Sequence, residues 1–176
     1  MTGKRDERAR RFDALARAHG ADLYRFALWL CGHEALARDL VQETFLRAWK
    51  ALDALRDDGA ARSWLITILR REYARTFERK VPKLVDIDAV PVPETGAHGP
   101  DGHTERDLLR EAIAQLPPRY REPLLLQVVI GLSGAEIAQA LNISQSAVMT
   151  RLFRAREKLM ARVQRDGITG NIDGPF

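Results

Sequence analysis

Five cations, Arg151, Arg154, Lys158, Arg162 and Arg165, recur three or four residues apart near the end of the chain. On a helix that spacing gathers them into one stripe. Residues 144–165 hold six cations against a single acid, Glu157. Such a stripe neutralises phosphates while a few neighbouring side chains reach base edges, so the chemistry it offers is nucleic-acid recognition. An ordinary solvated helix face carries the same pattern, and the elements around it have to decide between the two. A second set lies upstream, where Arg71, Arg75 and Arg79 follow at i+4 steps with Arg62 and Arg70 nearby. Residues 62–80 hold six cations against Glu72 and Glu78. Trp64, Tyr73 and Phe77 supply apolar surface there, and Trp64 suits a core position as well as it suits stacking on a base. No nucleophile–base pair and no phosphate-cradling glycine loop is present, so neither a catalytic set nor a cofactor is expected. Cys31 with His33, or His98, Asp101 and His103, match no recognised ligand spacing, so no metal site is expected either.

The C-terminal stripe needs a rigid frame, and the preceding residues describe one. Ser133-Gly134-Ala135-Glu136 reads as a capping box that opens a short helix with Ile137, Ala138 and Leu141 facing inward. Asn142 stands where a tight turn requires positive φ. Ser144 caps a longer helix with Val148, Leu152, Ala155 and Leu159 as its apolar stripe, and small Ala138 falls where the two helices cross. Short helix, four-residue turn, long basic helix is helix-turn-helix spacing, which favours DNA over the solvated face. Phe153 borders the core stripe and fits either the core edge or a thymine methyl. Upstream, Leu108, Leu109, Ala112, Ile113 and Leu116 keep helical period until Pro117-Pro118. Leu124, Leu125, Val128 and Val129 resume it until Gly131.

The N-terminal half carries nine of the twelve aromatics. Residues 36–52 form an amphipathic helix whose polar face holds Asp39, Gln42, Glu43 and Arg47 beside Phe45 and Trp49. That face is either solvated or a docking surface. Residues 55–61 read as a loop, and a helix runs on from Ser63. Between the halves, residues 81–104 contain seven prolines and glycines and four acids against Lys83, which reads as an exposed, locally acidic linker. The expected architecture is all-α: two small helical domains, 8–80 and 105–165, joined by the flexible linker 81–104, with a frayed tail at 166–176. At 176 residues and net charge +4, the chain has room for two small domains and only a mild basic excess. The charged start MTGKRDERARR shows no signal segment, and a single cysteine fits a reducing cytoplasm.

Residues 37–50, ARDLVQETFLRAWK, closely resemble the core-binding segment of bacterial sigma factors, most specifically over Asp39–Phe45. Residues 115–158, from Gln115-Leu116-Pro117-Pro118-Arg119 through GLSGAEIAQALNIS to RLFRAREKL, resemble the fourth conserved region of the same family. Together with Ser63-Trp64-Leu65 the resemblance spans most of residues 20–160. Regions 2 and 4 joined by a short tether is the layout of the extracytoplasmic-function (ECF) type. The resemblance implies a transcription initiation factor rather than an enzyme. Its implied partners are core RNA polymerase, promoter DNA and a cognate anti-sigma protein, with no small-molecule substrate and no membrane insertion.

By the same resemblance, Asp39, Leu40, Gln42, Glu43, Phe45, Arg47 and Trp49 bind the β′ coiled-coil, while the domain at 105–165 docks on the β flap. Arg56, Asp57, Arg62, Trp64, Arg70, Arg71 and Arg75 would read and melt the −10 element. Ser146, Met149, Thr150, Phe153 and Arg154 would read the −35 element, with Arg151 and Arg156 on phosphates. Two positions depart from the family pattern. Met149 stands where a basic residue is common, and a thioether cannot make the bidentate guanine contact of an arginine. Arg71, in Ile68-Leu69-Arg70-Arg71-Glu72, replaces an amide with a charge and so favours phosphate over base. The two promoter elements lie roughly 85 Å apart, while a linker of this length reaches about 80 Å and each domain adds a radius of roughly 12 Å. Both can be reached only with the linker stretched, as when threaded through polymerase, where its acids could mimic nucleic acid. An ordinary helix-turn-helix regulator that binds an operator as a dimer would explain residues 105–165 but leaves the Asp39–Trp49 segment without a purpose.

Overall fold

The computed structural model describes residues 2–78 and 105–165, and every regular element among them is helical. The linker at 81–104, with His98, Asp101 and His103, and the tail at 166–176 lie outside the described residues. Helix α1 spans Thr2–Cys31 and ends at Gly32, whose φ of 68° relieves the turn into α2 (Glu34–Lys50). Glu34 in the first turn of α2 complements the helix dipole where His33 provides no side-chain cap. Ala37, Leu40, Thr44 and Ala48 form the buried side of α2 at three- and four-residue steps. Thr44 can lie there because its hydroxyl donates to the Leu40 carbonyl at 2.7 Å.

Helix α2 stops two residues short of the 36–52 span expected for it, and a 3-10 turn at Leu52–Ala54 follows; the segment expected as a loop, 55–61, contains a second 3-10 turn, Asp58–Ala60. Asp57 caps the second by accepting from the Gly59 amide at 2.9 Å. Helix α3 then spans Ala61–Glu78, two residues earlier than its sequence start at Ser63. In the C-terminal half, α4 is Glu105–Ala114, and Pro118, with no amide hydrogen to lose, occupies the first position of α5 (Pro118–Val128). Gly131, at φ 74°, turns the chain into α6 (Gly134–Leu141), and α7 spans Gln145–Arg165.

The capping box forms as the sequence requires. Ser133 Oγ accepts from the Glu136 amide, and the Glu136 carboxylate accepts from the Ser133 amide at 2.8 Å and its hydroxyl at 2.7 Å. Those two donors hold the Glu136 carboxyl below its ordinary pKa. A carboxyl lowered in the folded state stabilises fully above its unfolded pKa, and the contribution disappears as pH falls through the lower, folded value. Ser133→Ala is therefore expected to cost about 1 kcal/mol at neutral pH, with a smaller difference in strong acid. Thermal melts of both proteins across pH check this.

The two halves pack against each other. Leu23, Phe26 and Leu30 of α1 and Leu65, Ile66 and Leu69 of α3 share one buried cluster with Ile113, Leu116, Leu124, Leu125, Ile137 and Leu152 of the second half. Two bundles held only by a tether, as the sequence suggested, are thus also joined through apolar contact. This explains two further differences. Ala140, not Ala138, is the alanine of α6 that is fully buried, because α3 covers it. Val128 sits at the end of α5 and is exposed, while Leu126 takes the inward position. A smaller cluster of Leu15, Leu52, Leu55 and Ala61 seats the 3-10 turns on α1.

Candidate nucleic-acid interface

Helix α7 has two sides with different tasks. Val148, Leu152, Ala155 and Val163 are buried and Leu159 half-buried, which fixes the helix against α5 and α6. Asn142 adopts φ 53°, and Ser144 Oγ accepts from the Ala147 amide at 3.2 Å, so turn and start of α7 are locally determined. On the other side Ser146, Met149, Thr150, Phe153 and Arg154 are exposed. Phe153 is 63 % exposed and Met149 56 %, which removes Phe153 from the core edge and leaves two apolar side chains one turn apart facing outward. Arg154 pairs with Glu157 at 2.8 Å, an exposed pair that costs little to exchange for another acceptor. Arg151 is half-buried, and Arg156 donates to Gln127 Oε1 at 2.7 Å, which holds it towards α5.

Helix α2 presents Asp39, Gln42, Arg47 and Trp49 as exposed and Glu43 and Phe45 as half-buried. Leu40 is 2 % exposed and turned into the core, so it supports this face from beneath. Glu43 pairs with Arg47 at 2.8 Å. Trp49 is steadied from the N-terminal turns of α1: Phe12 meets it edge-on at 5.2 Å, and the Arg8 guanidinium lies 4.9 Å from its ring. Leu46, which the sequence reading passed over, is 50 % exposed beside them. Its signal was available, since an apolar residue off the 37–40–44–48 stripe has no core to enter.

Helix α3 divides the candidate −10 residues. Arg56 and Asp57, before the helix, are exposed, as is Arg71, and Trp64 is half-buried against both apolar clusters. Arg75 faces elsewhere. It donates to buried Glu72 at 2.7 Å, and Glu72 also lies 3.5 Å from Arg47. Glu72 and Arg75 therefore line a cleft with Asp39, Glu43 and Arg47, which joins Arg75 to the α2 face and adds a buried carboxylate that spacing alone did not mark.

Arg62 and Arg70 face the second half of the chain. Arg62 donates to Asp22 at 2.7 Å and also to the Ile130 carbonyl. Arg70 makes two bonds to Glu122, at 2.9 and 2.5 Å, and one to the Ala140 carbonyl at 3.1 Å. Burial opposes ionisation of Asp22, but the bonds from Arg25 and Arg62 outweigh it and lower its pKa. Burial and the Arg62 charge lower that of His19 against the pull of Asp22, which favours its neutral imidazole and leaves Arg25 and Arg62 as the cations paired with Asp22. Arg121, also unmarked by the sequence, is 1 % exposed and donates to the Ala114 carbonyl at 2.9 Å, closing the end of α4.

The Cys31 thiol is buried, donates to the His33 carbonyl at 3.3 Å and has its pKa raised by that burial. Among the described residues no three His, Cys, Asp or Glu side chains gather to hold a metal ion, and no helix is long and apolar enough to cross a membrane.

Residues 15–81 match the family model for sigma-70 region 2, and residues 106–159 match that for sigma-70, region 4. The chain is 35% identical over 164 residues to the ECF RNA polymerase sigma factor SigL of Mycobacterium tuberculosis, covering 89% of this chain and 90% of that protein. It is 30% identical over 157 residues to the ECF RNA polymerase sigma factor SigM of Bacillus subtilis, covering 87% and 95%. Among solved structures, it resembles the sigma factor RpoE bound to the anti-sigma factor NepR from Bartonella quintana, with TM-score 0.68, 26% identity and coverage of 90% and 97%. CnrH in complex with the cytosolic domain of CnrY gives TM-score 0.64 and 27% identity, with 90% of each chain covered.

Proposed function

The chain belongs to the sigma-70 family as an ECF sigma factor that directs promoter-specific transcription initiation, and from that premise we propose how its faces divide the work. The α2 face, with the Glu72–Arg75 cleft, docks on core RNA polymerase. The exposed side of α7 reads the −35 element. The loop at Arg56–Asp57 and the α3 surface at Arg71 and Trp64 engage the −10 element and hold it open. The observation that carries this division is the coexistence of an exposed polar and aromatic face on α2 with an exposed reading face on a capped α7. A dimeric helix-turn-helix regulator has use only for the second. The chain performs no bond chemistry in this scheme and acts in the cytoplasm, where polymerase and promoter meet. RpoE with NepR is a complex with an anti-sigma factor, and we extend that mode of control to this chain.

Melting by a protein without catalysis is differential binding. Unstacking a base costs a few kcal/mol, which contacts made only with the open strand have to return. Arg71 is exposed, and its charge suits a phosphate of the displaced strand. Arg71→Ala is expected to lower open-complex formation by roughly tenfold, with core polymerase affinity within about twofold of the parent. Permanganate footprinting of unpaired thymines, beside a direct core-binding titration, measures both. Equal loss of binding and opening would remove Arg71 from the −10 contact.

A further inference from the structure

The chain between α2 and α3 has little regular structure of its own. Its two 3-10 turns flank Leu55, Arg56 and Asp57, which belong to no regular element. Backbone bonds close each turn within itself, from the Leu55 amide to the Leu52 carbonyl and from the Ala60 amide to the Asp57 carbonyl. Neither bond spans Arg56, and the tip is held instead from the N-terminal turns of α1. Arg11 Nη2 donates to the Leu55 carbonyl at 2.7 Å, while Arg11 Nε and Nη2 donate to Asp58 Oδ1 at 3.0 and 2.6 Å. One guanidinium thus grips the chain on both sides of Arg56. A turn earlier, Arg8 donates to the Trp49 carbonyl at 2.6 Å and lies 3.5 Å from Asp53, which ties down the entry to the first 3-10 turn. Beneath them Leu15 shares a buried cluster with Leu52, Leu55 and Ala61, and Phe12 packs against it. Arg56 stays exposed, and the Asp57 carboxylate is committed to the Gly59 amide.

We propose that Arg11 is a positioning residue for −10 strand capture, holding the Leu55–Asp57 tip in the conformation that meets the displaced strand. The inference rests on the reading of the Arg56–Asp57 loop as part of the −10 contact. A loose tip has to be ordered when the strand binds, and that ordering subtracts from the binding that keeps the duplex open. A tip already fixed by Arg11 avoids this cost and admits fewer alternative strand geometries. The planar guanidinium fork suits the task, because it meets a carbonyl and a carboxylate at a set separation; an ammonium on a flexible stem does not. Arg8, Arg11 and Phe12 all precede residues 15–81, which match the region 2 model. The brace therefore belongs to the N-terminal turns that this chain places before the matched segment.

The test uses the full-length chain with core polymerase, at saturating concentration, on a promoter that the parent opens. Permanganate footprinting scores opening, and melting curves show that each variant is folded at the assay temperature. Arg11→Ala is expected to lower opening by roughly tenfold, as the loss of charge-assisted bonds would do. Arg10→Ala, exposed on the same helix and equal in charge change, should lower it by less than about twofold. Arg11→Lys should recover only part of the loss, and it carries the same measurements if Arg11→Ala melts too low. Two readouts separate positioning from stability or direct DNA contact. Opening on single-base variants of the −10 element should fall less than on the parent sequence, so that base preference flattens. Arg11→Ala should also cost less in an Asp58→Ala background, since the two groups act through one contact. Opening like that of Arg10→Ala, a loss equal for all bases, or losses that add to those of Asp58→Ala would overturn the proposal. A defect in Arg56→Ala beside a normal Arg11→Ala would leave the −10 loop standing and reject the positioning role alone. Normal opening by Arg56→Ala would instead reject the loop assignment on which the role depends.

Discussion

Asp39→Arg is expected to weaken binding to core RNA polymerase by about thirtyfold or more while leaving the fold intact, the loss of a central charged contact commonly costing about 2 kcal/mol or more. Asp39 is exposed at the middle of the α2 face and lines the cleft with Glu43, Arg47 and Glu72. Reversing its charge places a second cation beside Arg47 and opposes the pairing any partner would make there. Nothing in the core depends on it, so thermal stability should change by no more than about 0.5 kcal/mol. Leu40 provides the contrast one residue on. It is buried, and Leu40→Ala is expected to act through stability, at about 2–5 kcal/mol. Equilibrium titration of labelled core polymerase, with melting curves of each variant, separates the two. An Asp39→Arg protein that binds like the parent would remove α2 from the polymerase contact.

Arg154→Ala is expected to reduce −35-dependent initiation by roughly ten- to a hundredfold and to relax the sequence requirement at one base pair, as the loss of one bidentate base contact of about 1–3 kcal/mol requires. The side chain is free to make such a contact because its present partner, Glu157, is itself exposed. Arg151→Ala should behave differently. A phosphate contact carries no sequence information, so binding should weaken by similar amounts on all sequences and the salt dependence should fall by about one ion. Selection of bound promoters from a pool randomised at the −35 element, repeated for both variants and at several salt concentrations, tells the two apart. If Arg154→Ala weakens all sequences equally, Arg154 contacts phosphate and the reading rests on Met149, Thr150 and Phe153.

The helix-turn-helix was legible because its determinants are local. Ser133 and Glu136 close a box three residues wide, Asn142 supplies a positive φ, and the α7 core stripe repeats within one helix. Motif resemblance found α2 and α7 for the same reason. What spacing could not show was which element each side chain would face across the fold. Arg62, Arg70 and Arg75 all sit on α3 near Arg71, yet two turn to the second half and one to α2, since those choices depend on Glu122, Ala140 and Glu72. Buried Arg121 is of the same kind. Its place is set by the carbonyl end of α4 and by the nearby Tyr73 of α3, whose pKa is pushed up to about 12 chiefly by burial. Phe153 was open on sequence because a helix edge position is decided by what packs beside it, and among the described residues its ring stays 63 % exposed, with the neighbouring Arg154 guanidinium 6.0 Å from it.

Run-off transcription with purified core polymerase on a library of genomic fragments tests the central claim most directly. Addition of the full chain is expected to produce discrete transcripts from a limited set of fragments that share two spaced elements, with none from core alone. A folded chain that yields no specific transcripts from such a library, or the same set as core alone, would contradict it.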